Sequence, residues 1–151
     1  MKIGIIGSGD VGPRLADRFS ELGHQVKIGS RNPNQSKITE WIDKHDKEKA
    51  SAGTFAETAS FGELVVLATL WEGTADAIQL SNSKNLVKKI VVDVTNPLDF
   101  TKGMPPRLAL DHTDSAGENV QRMLPESKVV KAFNEKVDAI KQKVHNNHSN
   151  F

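Results

Sequence analysis

The chain has 151 residues, of which 37% are hydrophobic, and its 20 basic and 19 acidic side chains give a formal net charge of +1. This length and composition are typical of one globular domain, and the balanced charge argues against a general binder of nucleic acid or of anionic membranes. The sequence contains no cysteine, which excludes disulfides, iron–sulfur clusters and thiol catalysis.

Short apolar runs alternate with segments of helical periodicity along the chain. In chain order, the first half is predicted to hold strand 3–6, helix 11–22, strand 25–29, a helix from Pro33 to Ile42, strand 50–53, helix 54–60 and strand 64–69. The second half is predicted to hold helix 74–80, strand 89–94, a long loop over 98–109, helix 115–124, strand 128–133 and helix 135–144. This alternation predicts an α/β fold, a doubly wound parallel sheet of about six strands with helices on both faces.

The sequence has no long apolar segment. The N-terminal apolar run is too short for a signal peptide, and the longest run, residues 64–70, is far shorter than the roughly 20 residues that span a bilayer. We therefore expect a cytoplasmic protein that does not bind a membrane.

Local signals mark several helix ends. Gly23 follows the last periodic residue of the first helix and is placed to end that helix with a positive φ. Thr54 and Glu57 have the spacing of a capping box, in which each side chain bonds the other residue's backbone N–H. Asp114 and Ser115 are interpreted as caps of the helix that follows them, rather than as catalytic residues.

A glycine-rich motif lies between the first strand and the first helix. Its residues are Gly7, Ser8, Gly9, Asp10, Val11 and Gly12. In this context a G-x-G-x-x-G pattern is typical of a dinucleotide site, since the glycines allow a tight turn, a close pyrophosphate and close packing of the helix. The alternative is an ordinary turn between a strand and a helix. Asp10 is expected to point away from the phosphates or to cap the helix.

The end of the second strand indicates which dinucleotide is bound. An NAD site usually has an acidic residue about 20 residues after the glycines, which bonds the ribose 2′-hydroxyl. Residues 22–39 contain no acid, and Ser30 and Arg31 follow the strand instead. A planar guanidinium matches a phosphate, so we predict NADP(H), with Ser30 and Arg31 at the 2′-phosphate and Lys37 adding charge. The alternative is that Arg31 is a solvated side chain in a loop.

The nicotinamide end is predicted at the carboxyl ends of the later strands, where open α/β sheets bind ligands. The candidates are Thr69, Leu70, Asn96, Pro97 and Asn134. Leu70 is expected to pack on the nicotinamide or its ribose, and Asn96 to bond the ribose. The alternatives are that Trp71 anchors a loop and that Asn96 and Pro97 form a turn.

No catalytic side chain is assigned, and no metal site is predicted. His145 and His148 have a spacing that suits a metal ion, but they lie in a polar C-terminal stretch. His112 lies in a polar loop between acidic residues and is interpreted as a surface residue. Motifs of serine hydrolases, zinc peptidases and P-loop nucleotide hydrolases are absent from the sequence.

Six motifs, in the same order, resemble those of the NADP oxidoreductases of the coenzyme F420-dependent type. They are residues 2–12, 29–31, 65–68, 93–97, 115–118 and 129–134. The resemblance runs from Met1 to about Asn134 and implies a Rossmann fold. The first motif alone would match many Rossmann domains, including that of pyrroline-5-carboxylate reductase.

The resemblance implies hydride transfer between NADP(H) and coenzyme F420, a deazaflavin, or another flavin-like acceptor. It places the pyrophosphate at residues 7–12, the 2′-phosphate at Ser30 and Arg31, and the nicotinamide beside Leu70, Asn96 and the region near Ala132. Lys37 stands one position from the family's usual basic residue. In such a reaction the protein supplies orientation and electrostatics rather than a nucleophile.

The resemblance also divides the chain. Residues 1–134 correspond to the family's NADP-binding domain, and residues 135–151 form a short charged tail where family members continue into a second domain. We therefore expect a truncated member of the family that retains hydride transfer, with a homodimer among the expected assemblies. Two alternatives stay open: a non-catalytic NADP(H)-binding module or sensor, and a different reductase whose acceptor is bound by a dimer.

Overall fold

The computed structural model describes residues 1–99, 101–104, 107–109 and 115–133. The strands are β1 (Lys2–Ile6), β2 (Gln25–Gly29), β3 (Ala50–Gly53), β4 (Leu64–Leu67), β5 (Ile90–Asp93), β6 (Leu98–Asp99), β7 (Arg107–Leu108) and β8 (Lys128–Lys131). The helices are α1 (Val11–Glu21), α2 (Ser36–Asp43), α3 (Phe55–Phe61), α4 (Thr74–Leu80) and α5 (Ala116–Met123), with 3-10 turns at Trp71–Gly73 and Ser83–Leu86. The predicted α/β alternation is confirmed.

Six of these strands form one parallel sheet in the order β3-β2-β1-β4-β5-β8. The chain runs outward from β1 to β3, returns to place β4 beside β1, and then runs outward in the other direction. This reversal is the doubly wound arrangement of a Rossmann fold, as the sequence predicts. Ligands of such sheets bind outside the carboxyl ends of the two central strands, here β1 and β4.

Apolar side chains on both faces of the sheet form the core. Isoleucine and valine dominate the strands, because a parallel sheet covered by helices is buried on both sides. On one face, Ile5, Ile28 and Val66 share a cluster with Ala16 of α1 and Trp41 of α2. The other cluster contains Ile6, Phe55, Ala59, Val65, Leu67, Ala77, Ile78, Leu86, Val91, Val120 and Leu124. The two clusters fix the central strand ends from both sides.

The caps predicted at Thr54 and Ser115 and the helix end predicted at Gly23 are present. The hydroxyl of Thr54 accepts from the N–H of Glu57 at 3.2 Å, and the carboxylate of Glu57 accepts from the N–H of Thr54 at 2.7 Å. Ser115 and Glu118 form the same pair at the start of α5, at 3.2 and 3.1 Å. Gly23 follows α1 with a φ of +87°, which confirms its predicted role at the end of that helix.

Helix α2 begins at Ser36, later than the predicted start at Pro33. Pro33 lies in a turn, and Gln35, with an extended ψ of 147°, is the residue that precedes the helix. The fixed φ of proline suits both a first helical turn and an open turn, so the sequence signal was ambiguous. The side chain of Gln35 bonds two serine hydroxyls outside the helix, which stabilises its extended conformation.

The long loop predicted over residues 98–109 contains a short antiparallel hairpin instead. Strands β6 and β7 pair Leu98 with Leu108 and Asp99 with Arg107. The carboxylate of Asp99 accepts from the backbone N–H and the hydroxyl of Thr101, at 2.8 and 2.7 Å, and so stabilises the reversal of the chain. Each strand has two residues, too few for an alternation of apolar side chains to be visible in the sequence.

Within the described part of the chain, no helix has the length and hydropathy needed to cross a membrane. The same residues contain no cluster of three or more histidine, aspartate or glutamate side chains that suits a metal ion. Several sequence predictions fall outside the described residues. They are the helix at 135–144, His112, Asp114, Asn134, His145 and His148.

Candidate dinucleotide site

The strand ends of the sheet bring the predicted site residues to one edge. Gly7 follows β1, Ser30 follows β2, Thr69 lies beyond the end of β4, and Asn96 lies beyond the end of β5. Because these strands are parallel, all four residues lie at the carboxyl edge of the sheet. This is the edge at which a doubly wound sheet binds its ligand.

The glycine loop is tightly packed at two of its glycines and open at the third. A Cβ atom on Gly7, whose φ is +124°, would collide with the backbone of Ala68, and a Cβ on Gly12 would collide with the carbonyl oxygen of Gly7. A Cβ on Gly9 would meet no atom within 4 Å. Gly7 and Gly12 therefore allow close contact between loop, helix and strand, whereas Gly9 leaves free space beside the backbone, as a phosphate group needs.

The first turn of α1 contains no acidic side chain. Asp10 precedes the helix and its carboxylate makes no capping bond, so of the two placements expected for it, pointing away from the phosphates or capping α1, the cap is not formed. Its Oδ1 lies 3.3 Å from Nζ of Lys37, which also donates to the carbonyl oxygen of Gly9 at 3.3 Å. The structure thus places Lys37 beside the glycine loop, where its charge balances that of Asp10.

A hydrogen-bond network joins the glycine loop to the end of β2. Ser30 is 5% exposed, and its Oγ accepts from the N–H of Asn32 at 3.1 Å and from Nε2 of Gln35 at 3.0 Å. The same Nε2 donates to Oγ of Ser8 at 2.9 Å, and the two serine oxygens are 3.3 Å apart. Ser8 and Ser30 are predicted from the sequence but Gln35 is not, because a glutamine in a turn gives no sign of the hydroxyl groups it reaches.

Arg31 extends from the end of β2 towards the segment that follows β4. The residue is exposed, and its Nη2 lies 3.5 Å from the position that a Cβ on Gly73 would take. None of the ion pairs among the described residues involves Arg31. On the surface formed by these residues, the guanidinium donors are therefore available to an anionic ligand.

The residues that follow β4 differ in their surroundings. Oγ1 of Thr69 lies 2.9 Å from Oγ1 of Thr74, which donates to the carbonyl oxygen of Leu70 at 3.0 Å. These bonds tie Thr69 to the start of α4. The side chain of Leu70 is 68% exposed at the carboxyl edge, whereas Trp71 packs against the apolar core. Leu70 thus offers an apolar surface to a ligand, and the packing of Trp71 agrees with the alternative that it anchors a loop.

The residues that follow β5 lead into the hairpin. The carbonyl oxygen of Asn96 accepts from the N–H of Leu98 at 2.8 Å, and that of Pro97 accepts from the N–H of Ala109 at 2.8 Å. These bonds agree with the alternative that Asn96 and Pro97 form a turn. Ala132 follows the neighbouring strand β8, so it lies at the same edge of the sheet as Asn96.

A buried carboxylate beneath this edge was not predicted. Asp93 is fully buried, its Oδ1 accepts from the N–H and the hydroxyl of Thr95 at 2.9 and 2.7 Å, and its Oδ2 lies 3.2 Å from Nζ of Lys131. Nζ of Lys131 also donates to the carbonyl oxygen of Thr95. The group joins the ends of β5 and β8 next to Asn96. The sequence shows that Asp93 ends an apolar strand, but it does not show that Lys131 pairs with this carboxylate.

Comparison with known proteins identifies relatives of this chain. Residues 2–97 match the family described as NADP oxidoreductase, coenzyme F420-dependent. The F420-dependent NADP reductase of Methanothermobacter marburgensis is 33% identical over 144 residues, covering 89% of this chain and 63% of that protein. The metalloreductase STEAP3 of Rattus norvegicus is 32% identical over 142 residues, covering 88% of this chain and 24% of that protein.

Solved structures show the same similarity. The crystal structure of a provisionally named F420-dependent NADP reductase from Arthrobacter sp. FB24 is 42% identical with a TM-score of 0.82, covering 89% of this chain and 62% of that one. The imine reductase of Streptomyces aurantiacus, at 15% identity and a TM-score of 0.61, shares the fold. The chain therefore spans less than two thirds of the length of these two F420-dependent reductases.

Proposed function

Because the chain belongs to the family of coenzyme F420-dependent NADP oxidoreductases, we propose that it binds NADP(H) and transfers hydride between NADPH and a small redox acceptor. The proposed acceptor is a deazaflavin of the F420 type or another flavin-like molecule. The observation that carries the proposal is the end of β2, where Ser30 and Arg31 stand in place of the acid that usually bonds the ribose of NAD.

The anionic groups of NADP(H) match two neighbouring parts of the site. The start of α1, free of acidic side chains and next to the open space at Gly9, suits the pyrophosphate, since a helix N-terminus presents backbone N–H groups to an anion. The buried hydroxyl of Ser30 and the planar guanidinium of Arg31 suit the 2′-phosphate. Gln35 and Lys37 connect these two parts through bonds to Ser8 and to Gly9.

In hydride transfer the role of the protein is to orient the nicotinamide and the acceptor relative to each other. The transferred hydrogen and its two electrons leave the dihydronicotinamide together, so the ring must lie against the acceptor with that hydrogen aimed at the carbon that receives it. The exposed side chain of Leu70 supplies an apolar contact for the ring, and Asn96 offers an amide to the ribose. We assign these residues to positioning and none to proton transfer.

A second candidate is a non-catalytic NADP(H)-binding module or sensor. It is favoured by the described residues, whose polar and charged groups suit the phosphates of NADP(H), whereas no group among them is assigned to binding the acceptor. A third candidate is a reductase whose acceptor is bound by two copies of the chain, and light scattering with and without NADPH would detect such a dimer.

Two measurements test the proposal. NADPH and NADH are titrated into the protein while the fluorescence of the dihydronicotinamide is followed, and tighter binding of NADPH is expected. Anaerobic stopped-flow mixing with F420 or a flavin then follows the loss of dihydronicotinamide absorbance. Oxidation supports the reductase, and binding without oxidation by either acceptor supports the module. Equal affinity for NADPH and NADH would contradict the assigned cofactor.

A further inference from the structure

We infer that Gln35 is a positioning residue that sets the preference of this site for a 2′-phosphate. The inference rests on the proposed binding of NADP(H). Gln35 immediately precedes α2, and its side-chain amide lies between the two parts of the site. Nε2 donates to Oγ of Ser8 in the glycine loop at 2.9 Å and to Oγ of Ser30 at the end of β2 at 3.0 Å.

The hydrogen bonds at Ser30 show what the amide does. A serine hydroxyl has two acceptor lone pairs and one hydrogen. At Ser30 the N–H of Asn32 and one hydrogen of the Gln35 amide are the two nearest donors to the oxygen, and the Ser8 hydroxyl is a third donor at 3.3 Å. Ser30 is only 5% exposed, so the remaining hydrogen of its hydroxyl needs an acceptor. A phosphate oxygen is a stronger acceptor than a ribose hydroxyl, because the bond to a charged oxygen is charge-assisted.

The second hydrogen of the Gln35 amide is donated to the hydroxyl oxygen of Ser8. The oxygen of Ser8 accepts from Gln35, which leaves the Ser8 hydroxyl hydrogen for Ser30 or for a ligand. The two serine oxygens are 3.3 Å apart, longer than the roughly 2.7–2.8 Å usual between hydroxyls, so the bond between them is weak and a phosphate oxygen can replace it. Gln35 thus keeps two hydroxyl groups from different loops as donors.

Two substitutions of Gln35 remove its hydrogen bonds to Ser8 and Ser30 in different ways. Gln35→Leu keeps a similar side-chain size but has no N–H group that could donate a hydrogen bond. A lone pair of Ser30 then becomes free, and the hydroxyl groups of Ser8 and Ser30 can bond each other more closely. Gln35→Glu places an acceptor that takes the serine hydrogens, and it adds a negative charge beside the phosphate. Because the amide is half-buried in a turn at the surface, we expect both variants to fold.

Adenosine 2′,5′-bisphosphate and adenosine 5′-monophosphate isolate this effect, since they differ in the 2′-phosphate and carry no nicotinamide. Dissociation constants are measured by calorimetry for the wild type and the variants. We expect Gln35→Leu to reduce the preference for the bisphosphate about five- to tenfold, and Gln35→Glu to reduce it further, with the affinity for the monophosphate changing less than about twofold. Gln25→Leu is the matched control, since Gln25 is exposed at the opposite end of β2.

The results distinguish failure of the proposed cofactor from failure of the role assigned to Gln35. If the wild type shows no preference for the bisphosphate, both the proposed cofactor and the role of Gln35 fail. If the wild type shows the preference and both Gln35 variants keep it, the role of Gln35 is overturned while the proposed cofactor stands. An equal loss of affinity for both probes also overturns it, because Gln35 would then only support the glycine loop. Thermal unfolding checks each variant, and should one be unfolded, the other decides.

Discussion

Replacing Arg31 by alanine tests the assignment of NADP(H) most directly. Arg31 is exposed at the carboxyl edge of the sheet, and no carboxylate of the described residues forms an ion pair with it. Its removal therefore breaks no described ion pair of the protein, and the fold should survive. The expected loss falls on the contact with the 2′-phosphate, which NADPH has and NADH lacks.

The size of the loss follows from the exposure of Arg31. Opposite unit charges about 4 Å apart attract by about 1 kcal/mol in bulk water and by about 4 kcal/mol at the effective dielectric of a protein surface. Hydrogen bonds to charged groups contribute about 1.5–3 kcal/mol. For an exposed guanidinium we take about 2 kcal/mol, which raises the dissociation constant for NADPH about thirtyfold, since about 1.4 kcal/mol is a factor of ten.

Fluorescence titration of wild type and Arg31→Ala with NADPH and with NADH measures both constants. The constant for NADH should stay within about twofold, and added salt should weaken NADPH binding by the wild type more than by the variant, because salt screens exposed charges. Arg18→Ala removes an equal charge in the last turn of α1, where Arg18 pairs with Glu21, and serves as the control. An unchanged constant for NADPH, or equal weakening of NADPH and NADH, would refute the assignment.

Three further outcomes are expected. Gly12→Ala should lower the melting temperature, because its Cβ collides with the preceding loop, whereas Gly9→Ala should leave it unchanged and weaken NADPH binding; the opposite pattern would contradict the packing of the loop. Asp93→Ala should lower the free energy of unfolding in urea by about 3 kcal/mol, since it removes a buried carboxylate that accepts two hydrogen bonds from Thr95 and lies beside the partly exposed ammonium of Lys131, and a loss below about 1 kcal/mol would mean that this group contributes little. Hydrogen bonds from the backbone N–H and the hydroxyl of Thr54 lower the pKa of the Glu57 carboxyl below its ordinary value of 4.5. The ionised carboxylate therefore stabilises the fold above pH 4.5, and this stabilisation is lost as the pH falls through the lowered pKa. Glu57→Gln should therefore lose less stability than the wild type between pH 7 and acidic pH, and parallel curves would argue against the bond.

The sheet could be predicted from the sequence because its signals are local. Ile5 and Val66 belong to short apolar runs, and buried parallel strands produce such runs wherever helices cover both faces. The errors have equally physical causes. The start of α2 was predicted too early because a proline fits two kinds of turn, and the hairpin of β6 and β7 was missed because pairs of residues show no periodicity.

The positions of the candidate site residues could be predicted as far as residue type and place along a strand determine them. Ser30 and Arg31 follow a strand directly, so the topology of the sheet carries them to the ligand edge. Gln35 and the pair of Asp93 with Lys131 depend on distances between segments that are remote in the sequence. Such contacts are set by how the loops pack, which no periodicity in the chain records.

For Lys37 and Arg31, the sequence shows the charge of each side chain but not the group with which it pairs. In the sequence both are basic residues of one acid-free stretch, and both are expected near the 2′-phosphate, Arg31 as its planar partner and Lys37 as added charge. In the fold, Nζ of Lys37 lies 3.3 Å from the carboxylate of Asp10 and bonds the carbonyl oxygen of Gly9, so much of its charge is already balanced. Arg31 has no such partner among the described residues, and its planar donors reach past β1 towards Gly73. We therefore expect Arg31 and the hydroxyl of the buried Ser30 to select the phosphate, and Lys37 to hold α2 against the glycine loop.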